Sequence, residues 1–490
     1  MSVFIVVNNP EDWPLHVYGA EVIAAKTYLS DPRFSDMRGA KVFNLSRSYR
    51  YQSLGYYVSL LAEARGHKPL PSVNTIQDMK SQTITRFVSD DLFELIQRSL
   101  APIKSDEFVL SIYFGSNIAK RYARLSLNLF NLFPAPLLRA RFLYNRKTWQ
   151  LQSIGPIAAS DIPDDHQPFV ISMASEYFSG KRSRRRTQQT ERYDLAILRN
   201  PSEAQPPSDA KAIRKFIKAA QQLDFSVEMI TKNDYGRIAE FDALLIRETT
   251  AVNHHTYRFA RRAKVEGLVV IDDPDSILKC CNKVYLAELM QRHRIPAPQT
   301  SIVNRANMNA VSSSISMPCI LKQPDSAFSQ GVLKVENRPE FLSAAARLLD
   351  KSDLIIAQEF MPTEFDWRIG VFNRQPLFAC RYYMVGGHWQ IMQHNGGDKA
   401  QEGVSEGVAL EQVPHSVTAT ALKVANLIGD GLYGVDLKEV NNKVYVMEVN
   451  DNPNIDHDIE DAILGNNLYL TIMRGFLSRI EERKGERKPR

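Results

Sequence analysis

The sequence has little of what membrane, fibrous and repeat proteins need. Its 490 residues contain no apolar run that approaches the ~18 residues required to span a bilayer. They also contain no internal repeat and no low-complexity tract, which argues against a repeat architecture or an extended disordered chain. With 44% hydrophobic and 24% charged residues, the composition is ordinary for a soluble globular protein. The length then predicts two to four domains, each able to bury a core.

Cysteine is scarce and is not arranged in pairs that bind metal. The four cysteines form no CxxC pair, and two of them are adjacent: Cys280, Cys281, Cys319 and Cys380. This spacing argues against both a cysteine-based zinc site and a disulfide framework. It predicts a protein of the reducing cytoplasm.

The first residues, "MSVFIVVNNPEDW", lack a basic segment ahead of their apolar run, and acidic residues follow at once. A secretory signal has the opposite layout. We therefore expect the run to be a first β-strand at Val3–Val7, and we expect no membrane partner.

Positive charge is unevenly placed, although the net charge is only +6. Residues 120–147 contain seven basic residues and no acid, and "KRSRRR" follows at 181–186. The seven are Lys120, Arg121, Arg124, Arg139, Arg141, Arg146 and Lys147. Such clusters can bind nucleic acid or an acidic protein. The alternative is a solvated helix face followed by a basic linker, and we take this as the working interpretation.

Two lysines stand where a helix or strand meets a loop. In "MPCILKQPDSAFSQGVLKV", Lys322 ends a short strand, and a loop closed by Gly331 leads to a second strand. A hairpin loop of this kind can close over phosphates through its backbone N–H groups. Lys283, in "CCNKVYLAELMQRHRIPAP", opens a helix. Taken singly, each could equally be a surface lysine beside a turn.

Further along, apolar strands carry isolated polar residues. The apolar strand in "SDLIIAQEFMP" runs into "QEFM" at 358–361. This strand end could offer its backbone to an adenine edge, while Glu359 or Glu364 takes ribose hydroxyls. Arg368 in "EFDWRIGVF" and Arg381 in "LFACRYYM" each interrupt an apolar strand. An inward arginine needs an anion, which could be a phosphate or a structural carboxylate.

The strands "LYGVDLKEV" and "KVYVMEVN" form the most specific pattern in the chain. With a three-residue loop at 441–443, Val440 would pair with Val444, and Asp436 would lie opposite Glu448, with Asn450 on the same face. Two carboxylates and an amide oxygen suit Mg²⁺. The alternative is a pair of acids on a solvated strand.

These segments, in this order, resemble the ATP-grasp superfamily, and more closely its RimK-like carboxylate–amine ligases, from about Tyr193 to Ser478. Residues 1–180, with "YRYQSLGYYVSLLAEARG", resemble the RimK-like N-terminal domain. The resemblance implies an α/β chain in which this N-terminal α/β domain and a basic linker at 181–192 precede an ATP-grasp fold. That fold would comprise a pre-ATP-grasp parallel sheet at 193–275, a central lid subdomain at 276–361 and a C-terminal antiparallel sheet at 362–484. A charged tail at 485–490 would follow.

The resemblance also implies roles for named residues. Those expected to bind ATP are Lys283, Lys322, Ser329, Gln358, Glu359, Phe360, Met361, Glu364 and Asp366. Lys322, Arg368 and Arg381 would steady the γ-phosphate or the substrate carboxylate as catalytic residues. Asp436, Glu448 and Asn450 would hold one or two Mg²⁺, with Mn²⁺ as an alternative. The residues expected at the substrates are Arg247, His394, Asn395, Asn452, Asn454 and Asp456.

The implied function is ATP-dependent ligation of a carboxylate to an amine through an acyl phosphate, with an amino acid, peptide or protein as substrates and a homo-oligomer by analogy. No nucleic acid takes part in it. The alternative is a nucleotide-binding scaffold whose basic N-terminal region docks RNA or an acidic protein. The sequence departs from the family in the lid loop "DSAFSQG", which has one glycine, and in the tail "DNPNIDHDIED". That tail could read an amine or could be an Asx-rich turn. We expect the pairs His254–His255 and Cys280–Cys281 to be structural or exposed.

Overall fold

The computed structural model divides into two compact units. The first comprises Met1–Arg192 and Asn233–Phe241, and the second Tyr193–Lys232 and Asp242–Arg490. The structure describes residues 2–13, 17, 19–37, 39–145, 147–179, 192–325, 331–384, 392–393 and 401–485. Within those residues, no helix combines the length and the apolar character needed to cross a membrane.

The first unit begins with a parallel sheet of order β2-β1-β3-β4. Its strands are β1 Ser2–Val7, β2 Glu21–Ala24, β3 Ala40–Asn44 and β4 Lys68–Leu70. The helices beside them are α1 Ala25–Ser30, α2 Leu54–Ala64, α3 Val73–Lys80, α4 Gln82–Asp91 and α5 Phe93–Leu100. The strand predicted at Val3–Val7 is confirmed as β1. Helix α2 ends just before Gly66, whose φ of +69° suits glycine.

An antiparallel sheet of order β5-β6-β7 completes the first unit. Its elements are β5 Glu107–Tyr113, α6 Ala123–Leu132, β6 Leu137–Asn145, β7 Thr148–Pro156 and α7 Gln167–Ser179. On β6, Arg141 donates to the exposed Glu107 carboxylate at 2.5 and 2.9 Å. The returning segment supplies Glu240, which forms a buried ion pair with Lys41 at 2.6 Å.

The second unit opens with the parallel sheet that strand–helix alternation predicts, in the order β11-β10-β8-β9. Its elements are β8 Tyr193–Leu198, α8 Ala210–Gln221, β9 Phe225–Ile230, β10 Ala243–Ile246, α9 His255–Val265, β11 Val269–Ile271 and α10 Pro274–Cys280. Asp209 caps α8, where its side chain accepts from the Ala212 amide at 2.7 Å. The apolar face of α8, including Phe216, packs in one core with Leu195 of β8.

A small antiparallel sheet of order β12-β15-β13-β14 follows. Its elements are α11 Lys283–Arg292, β12 Thr300–Val303, α12 Met308–Ser314, β13 Cys319–Lys322, β14 Val332–Val335, α13 Arg338–Leu349 and β15 Ile355–Glu359. The hairpin predicted around Lys322 is confirmed by the pairing of β13 with β14. Its loop at 326–330 lies outside the described residues.

The last sheet is antiparallel, with the order β20-β17-β16-β21-β22. Its strands are β16 Phe365–Phe372, β17 Gln375–Tyr383, β20 Ser405–Val408, β21 Leu432–Val440 and β22 Lys443–Asn450. A short pair, β18 Met392–Gln393 and β19 Gln401–Glu402, lies between β17 and β20 in the chain. The helices are α14 His415–Ile428 and α15 Asn466–Arg483.

The β21–β22 hairpin brings Asp436 opposite Glu448, as predicted, but by a different route. The predicted three-residue loop is wrong. Asn441 and Asn442 have φ of +51° and +60°, as in a two-residue type I′ turn, so Val440 pairs with Lys443. A register shift then falls between Asp436 and Leu437. This bulge adds one residue to β22 and restores the opposition of the two acids.

Candidate active site

The second unit contains a cavity of about 700 Å³ whose wall draws on β13, β15, β16, β21 and β22. Most of the residues predicted to act on substrates or cofactors lie on this wall. They are Lys283, Lys322, Gln358, Glu359, Phe360, Met361, Asp366, Arg368, Asp436, Glu448, Asn450, Asn452, Asn454 and Asp456.

Lys283 reaches the cavity from the first turn of α11. The side chain of Asn282 caps this helix and accepts from the amides of Val284 and Tyr285 at 3.0 and 3.1 Å. The cap fixes the position from which the Lys283 ammonium reaches Glu448, whose Oε1 lies 2.9 Å from Nζ.

Lys322 enters the same cavity from the end of β13. Its Nζ donates to Oε1 of Gln358 on β15 at 2.6 Å, and Gln358 in turn donates to the Thr300 hydroxyl at 3.1 Å. Burial lowers the pKa of Lys322 to about 8, although the nearby Glu448 carboxylate opposes the shift. A desolvated ammonium of this kind gains more from an incoming phosphate than an exposed lysine does.

The acids of the hairpin are paired with cations from neighbouring elements. Arg368 of β16 donates through Nε and Nη2 to the Asp436 carboxylate, with Nη2 2.9 Å from Oδ2. Asn450 donates to the same Oδ2 at 3.1 Å. Burial raises the pKa of Asp436, against the effect of Arg368. For Glu448, burial acts in the same direction, but Lys283 and Lys322 outweigh it and leave the pKa below its ordinary value.

The donor set fits a magnesium ion. Two carboxylates and an amide oxygen are hard ligands, which Mg²⁺ prefers, and they converge from two paired strands. The ion pairs with Arg368 and Lys283 occupy the same carboxylate oxygens. Metal binding therefore requires these two cations to turn toward another anion.

Lys438 is a wall residue that the sequence analysis missed. Its Nζ donates to Oδ1 of Asp366 and to the Thr363 hydroxyl, at 2.6 Å in both cases. The signal was present, because Lys438 is two positions beyond Asp436 on one strand and so shares its face. The pair ties Asp366 to β21 beside the predicted metal ligands.

One part of the cavity wall, here called the acidic end, is formed by the segment after β22 and adjoins Arg368, whose guanidinium lies 4.9 Å from the Tyr382 ring. The backbone amide of Asp209 donates to Asp456 at 2.7 Å, and that of Asp456 donates to Glu460 at 2.7 Å. Glu460 also accepts from the Tyr382 hydroxyl. Burial raises the pKa of Glu460 to about 7 and also raises that of Asp456. Glu460 was not predicted, since the segment after β22 carries no helical or strand periodicity that would have indicated a direction, and Tyr382 was missed because its neighbour Arg381 was expected on this face of β17.

Arg247 is not placed as a substrate contact. Its side chain is only 1% exposed, and its guanidinium donates to Asn452 Oδ1 at 2.7 Å and to the Pro453 carbonyl at 2.8 Å. It also bonds the Ser208 hydroxyl at 3.1 Å. Arg247 thus fixes the segment that carries Asn452. Asn452 lines the cavity, whereas Arg247 does not.

Arg381 lies on the wrong face of the sheet for its predicted role. It pairs with Trp367, whereas Arg368 pairs with Cys380, so the two arginines point to opposite sides of the sheet. Arg381 stacks over the rings of Trp367 and Phe365 at 4.9 and 5.1 Å. Its neighbour Tyr382 takes the cavity side instead.

Four further predicted residues are not on the described wall, for two different reasons. Glu364 is exposed and does not line the cavity, whereas Asp366, two residues further along the chain, does. Ser329, His394 and Asn395 lie outside the described residues, as does most of the predicted linker at 181–192.

Comparison with known families agrees with this arrangement. The family model for the RimK-like ATP-grasp N-terminal domain matches residues 25–173, and the model for the RimK-like ATP-grasp domain matches residues 280–473. The chain belongs to the RimK-like ATP-grasp family. The RimK-like ATP-grasp domain thus contains Lys283, Lys322 and the β21–β22 hairpin.

Curated relatives of this RimK-like chain are named as ligases. A probable alpha-L-glutamate ligase from Rhodopirellula baltica is 24% identical over 46% of the chain and 54% of the relative. The alpha-aminoadipate–LysW ligase LysX from Saccharolobus solfataricus is 24% identical over 38% of the chain and 67% of the relative. The chain thus spans about half the length of the first of these proteins.

Solved structures similar to the RimK-like chain include an ATP-grasp RimK domain protein from Sphaerobacter thermophilus, at 16% identity and a TM-score of 0.45. It covers 57% of this chain and 98% of its own. D-alanine–D-alanine ligase from Bacillus anthracis is 13% identical with a TM-score of 0.47, over 60% of this chain and 99% of its own.

Proposed function

We propose that this chain is an ATP-dependent carboxylate–amine ligase that forms an amide through an acyl phosphate and releases ADP and phosphate. The observation that supports it most strongly is the convergence of Lys283, Lys322, Asp436 and Glu448 on one cavity. Two ammonium groups beside two carboxylates can hold polyphosphate and its metal ion in one place.

The triphosphate binds along the lysines. Lys322 exchanges its bond to Gln358 for a phosphate oxygen, and Lys283 turns from Glu448 to another. The adenine lies against the end of β15, where Gln358, Glu359, Phe360 and Met361 line the cavity. Asp366, whose Oδ1 accepts from Lys438, would accept from the ribose hydroxyls.

Asp436, Glu448 and Asn450 would hold Mg²⁺, with Mn²⁺ as an alternative ion. When bound, the ion supplies positive charge that offsets the charge developing on the transferred phosphoryl group. Arg368, released from Asp436, then faces the γ-phosphate or the substrate carboxylate.

In the first chemical step, a carboxylate oxygen of the substrate attacks the γ-phosphorus. The bond from that phosphorus to the β–γ bridging oxygen breaks, and ADP leaves. In the second step, the amine nitrogen attacks the carbonyl carbon of the acyl phosphate, phosphate leaves with the carbon–oxygen bond electrons, and the nitrogen loses a proton. Because water would hydrolyse the acyl phosphate, the cavity has to close over it.

The acidic end of the cavity supports an amine-bearing acceptor. Asp456 and Glu460 line the wall there beside Asn452 and Asn454, and carboxylates of this kind bind an ammonium group. With a pKa near 7, Glu460 is also suited to take the proton that the nucleophilic nitrogen loses. Since the curated relatives are named for glutamate and alpha-aminoadipate, we propose a glutamate-like amino acid as one substrate and an amino acid, peptide or protein as the other.

The location proposed is the cytoplasm. All four cysteines are free in the structure, which is the usual state in a reducing compartment.

The test is ADP release from ATP and Mg²⁺ in a matrix of amino acids and peptides, followed by the mass of the product. We expect ADP only when a carboxylate and an amine are both present, and a product mass equal to their sum less one water. Glu448→Gln and Lys322→Ala should each abolish release, whereas Lys443→Ala, an exposed lysine on the strand of Glu448, should not. Unchanged ADP formation in both active-site variants would contradict the proposal.

A further inference from the structure

The loop that follows β10 brings two imidazoles to a buried carboxylate. Glu248 comes two residues after the strand, and His254 and His255 begin α9. His255 Nε2 lies 2.8 Å from Glu248 Oε1. One ligand atom from each of the three side chains lies within 4.8 Å of the other two, and the two imidazole ring centroids are 3.9 Å apart.

Several polar atoms of this cluster are buried without a partner. Glu248 Oε2 and the nearby Glu203 Oε2 have no hydrogen-bond partner among the residues that the structure describes, whereas His255 Nε2 has only its ion-pair contact with Glu248 Oε1. The Glu248 side chain is only 3% exposed. Buried carboxylate oxygens and ring nitrogens are almost always satisfied, because leaving them bare costs free energy. Because the 2.8 Å contact with His255 takes only Oε1 of Glu248, its second oxygen, Oε2, is left to bind a further group.

The spacing and the donor types fit a metal ion. Two ligands bound at about 2.0–2.2 Å to a tetrahedral ion lie about 3.4 Å apart, so the 2.8 Å separation of His255 Nε2 and Glu248 Oε1 has to widen by only about 0.6 Å when the ion binds. His254 Nδ1 contacts the Thr256 hydroxyl at 3.1 Å. This contact leaves Nε2 as the ligand atom and holds the ring, as outer partners of metal-binding histidines do.

We propose that Glu248, His254 and His255 bind a divalent transition metal of the zinc class. Imidazole nitrogens combined with carboxylates select such ions, whereas the oxygen-only set of the β21–β22 hairpin selects Mg²⁺. The two sites therefore differ in the ion that they take.

The proposed metal holds part of the cavity wall. Residues 249–253, between Glu248 and His254, all line the cavity. The amide of Thr249 donates to Glu203 Oε1 at 3.0 Å, and the hydroxyl of Thr250 donates to Asp451 at 2.8 Å. A metal that joins both ends of this loop fixes its path and so fixes the wall beside the segment after β22.

Cobalt(II) is the probe for the test. The full chain, without an affinity tag and treated with chelator, is titrated with Co²⁺ in excess Mg²⁺, which occupies oxygen-only sites. We expect one Co²⁺ per chain, with the intense visible absorption of a four- or five-coordinate imidazole site, and displacement of Co²⁺ by Zn²⁺. Glu248→Gln and His255→Ala should each weaken Co²⁺ binding by at least about tenfold, a loss seen even when only an outer partner is removed.

His457→Ala is the matched control. His457 also lies in a cluster with two acids, Asp458 and Asp461, but the Lys215 ammonium already lies 3.0 Å from its Nδ1. Its removal should leave Co²⁺ binding unchanged. Thermal unfolding followed by circular dichroism verifies that each variant folds, and the isosteric Glu248→Gln decides the outcome if His255→Ala does not fold. Absence of stoichiometric Co²⁺ uptake, or Glu248→Gln binding as tightly as the wild type, would overturn the proposal.

Discussion

Asp436 shows how a single residue can serve both stability and chemistry. Its carboxylate accepts two bonds from Arg368 and one from Asn450, and it lies opposite Glu448. Neither charge of the Arg368–Asp436 pair is well exposed, with side-chain exposures of 12% and 15%. The pair therefore keeps Arg368, which we propose to be catalytic, in place and compensates the charge of a proposed metal ligand.

Replacing Asp436 should destabilise the protein as well as inactivate it. In Asp436→Asn, the Arg368 guanidinium loses its counter-charge while it stays buried, and we expect the free energy of unfolding to fall by about 3 kcal/mol. Urea unfolding measures this change. The matched control is Asp350→Asn, because Asp350 pairs with Arg305 at a side-chain exposure of 70% and should change stability by less than about 0.5 kcal/mol. Equal losses in the two variants would contradict the account.

The lowered pKa of Lys322 should make ATP binding depend on pH. Burial lowers its pKa from the ordinary 10.5 to about 8, so the free protein loses this positive charge as the pH rises through 8. ATP affinity, measured by calorimetry across this range, should therefore fall on the alkaline side. Between pH 8 and 10.5, the unfolded chain holds the proton that the folded chain has lost, so this group alone makes stability rise with pH. In Lys322→Arg the alkaline loss of affinity should disappear, and its persistence would assign it to another group.

At the residue scale, the sequence predicts which residue types meet but not always their side of a strand. Asp436 and Glu448 were placed opposite each other correctly because alternation within the β21–β22 hairpin sets their face. Arg381 was placed on the wrong face. From the sequence, an arginine between apolar residues is expected to point into the site. Its alkyl chain and guanidinium can instead cover aromatic rings, as those of Arg381 do over Trp367. Because neighbouring residues of a strand face opposite sides of the sheet, Tyr382 lines the cavity instead of Arg381.

Among the elements, helix α11 and hairpin β13–β14 each deliver one lysine from a terminus. Asn282 links the two, because its side-chain oxygen caps α11 while its Nδ2 donates to Asp325 at 3.1 Å, at the start of the hairpin loop. The backbone amide of Lys283 also donates to the Pro324 carbonyl at 3.0 Å. The N-terminus of α11 is thus tied to the hairpin that carries Lys322.

Loss of this cap should weaken both folding and nucleotide binding. Asn282→Ala removes the acceptor for two helix amides, which costs about 1 kcal/mol, and it frees Lys283 from its fixed position. We expect a lower urea midpoint and a lower ATP affinity. Asn282→Asp keeps a capping oxygen and should retain the helix cap. If Asn282→Ala bound ATP as well as the wild type, Lys283 would not depend on the cap for its position.

At the element scale, strands, helices and their stops were largely readable from the sequence. Asp209 at a helix cap and Gly66 after a helix are examples of boundaries with a local cause. The β21–β22 turn was misjudged because Asn-Asn can adopt two consecutive positive φ angles, and a bulge at Met447 then corrected the register. A bulge has no local sequence signal, since it depends on the partner strand.

For the whole molecule, the order of segments carried more information than any single segment. Lys283, Lys322, Asp366 and Asp436 come from four separate elements, and only the fold brings them to one cavity. The sequence predicted this convergence through a family resemblance, whereas the acidic end at Glu460 follows from tertiary packing after β22. The first unit shows matched charges such as Arg141–Glu107 and Lys41–Glu240, and we assign no chemistry to it.

The acyl phosphate is the central claim for the whole molecule, and oxygen tracing tests it most directly. The carboxylate substrate identified by ADP release is labelled with ¹⁸O in its carboxylate group. The enzyme then turns it over with ATP and the amine substrate, and mass spectrometry measures the ¹⁸O content of the released phosphate. The account predicts ADP as the nucleotide product and one ¹⁸O atom in each phosphate, because the carboxylate oxygen that attacks phosphorus stays with it. Unlabelled phosphate, or AMP as the nucleotide product with the label in it, would contradict the account.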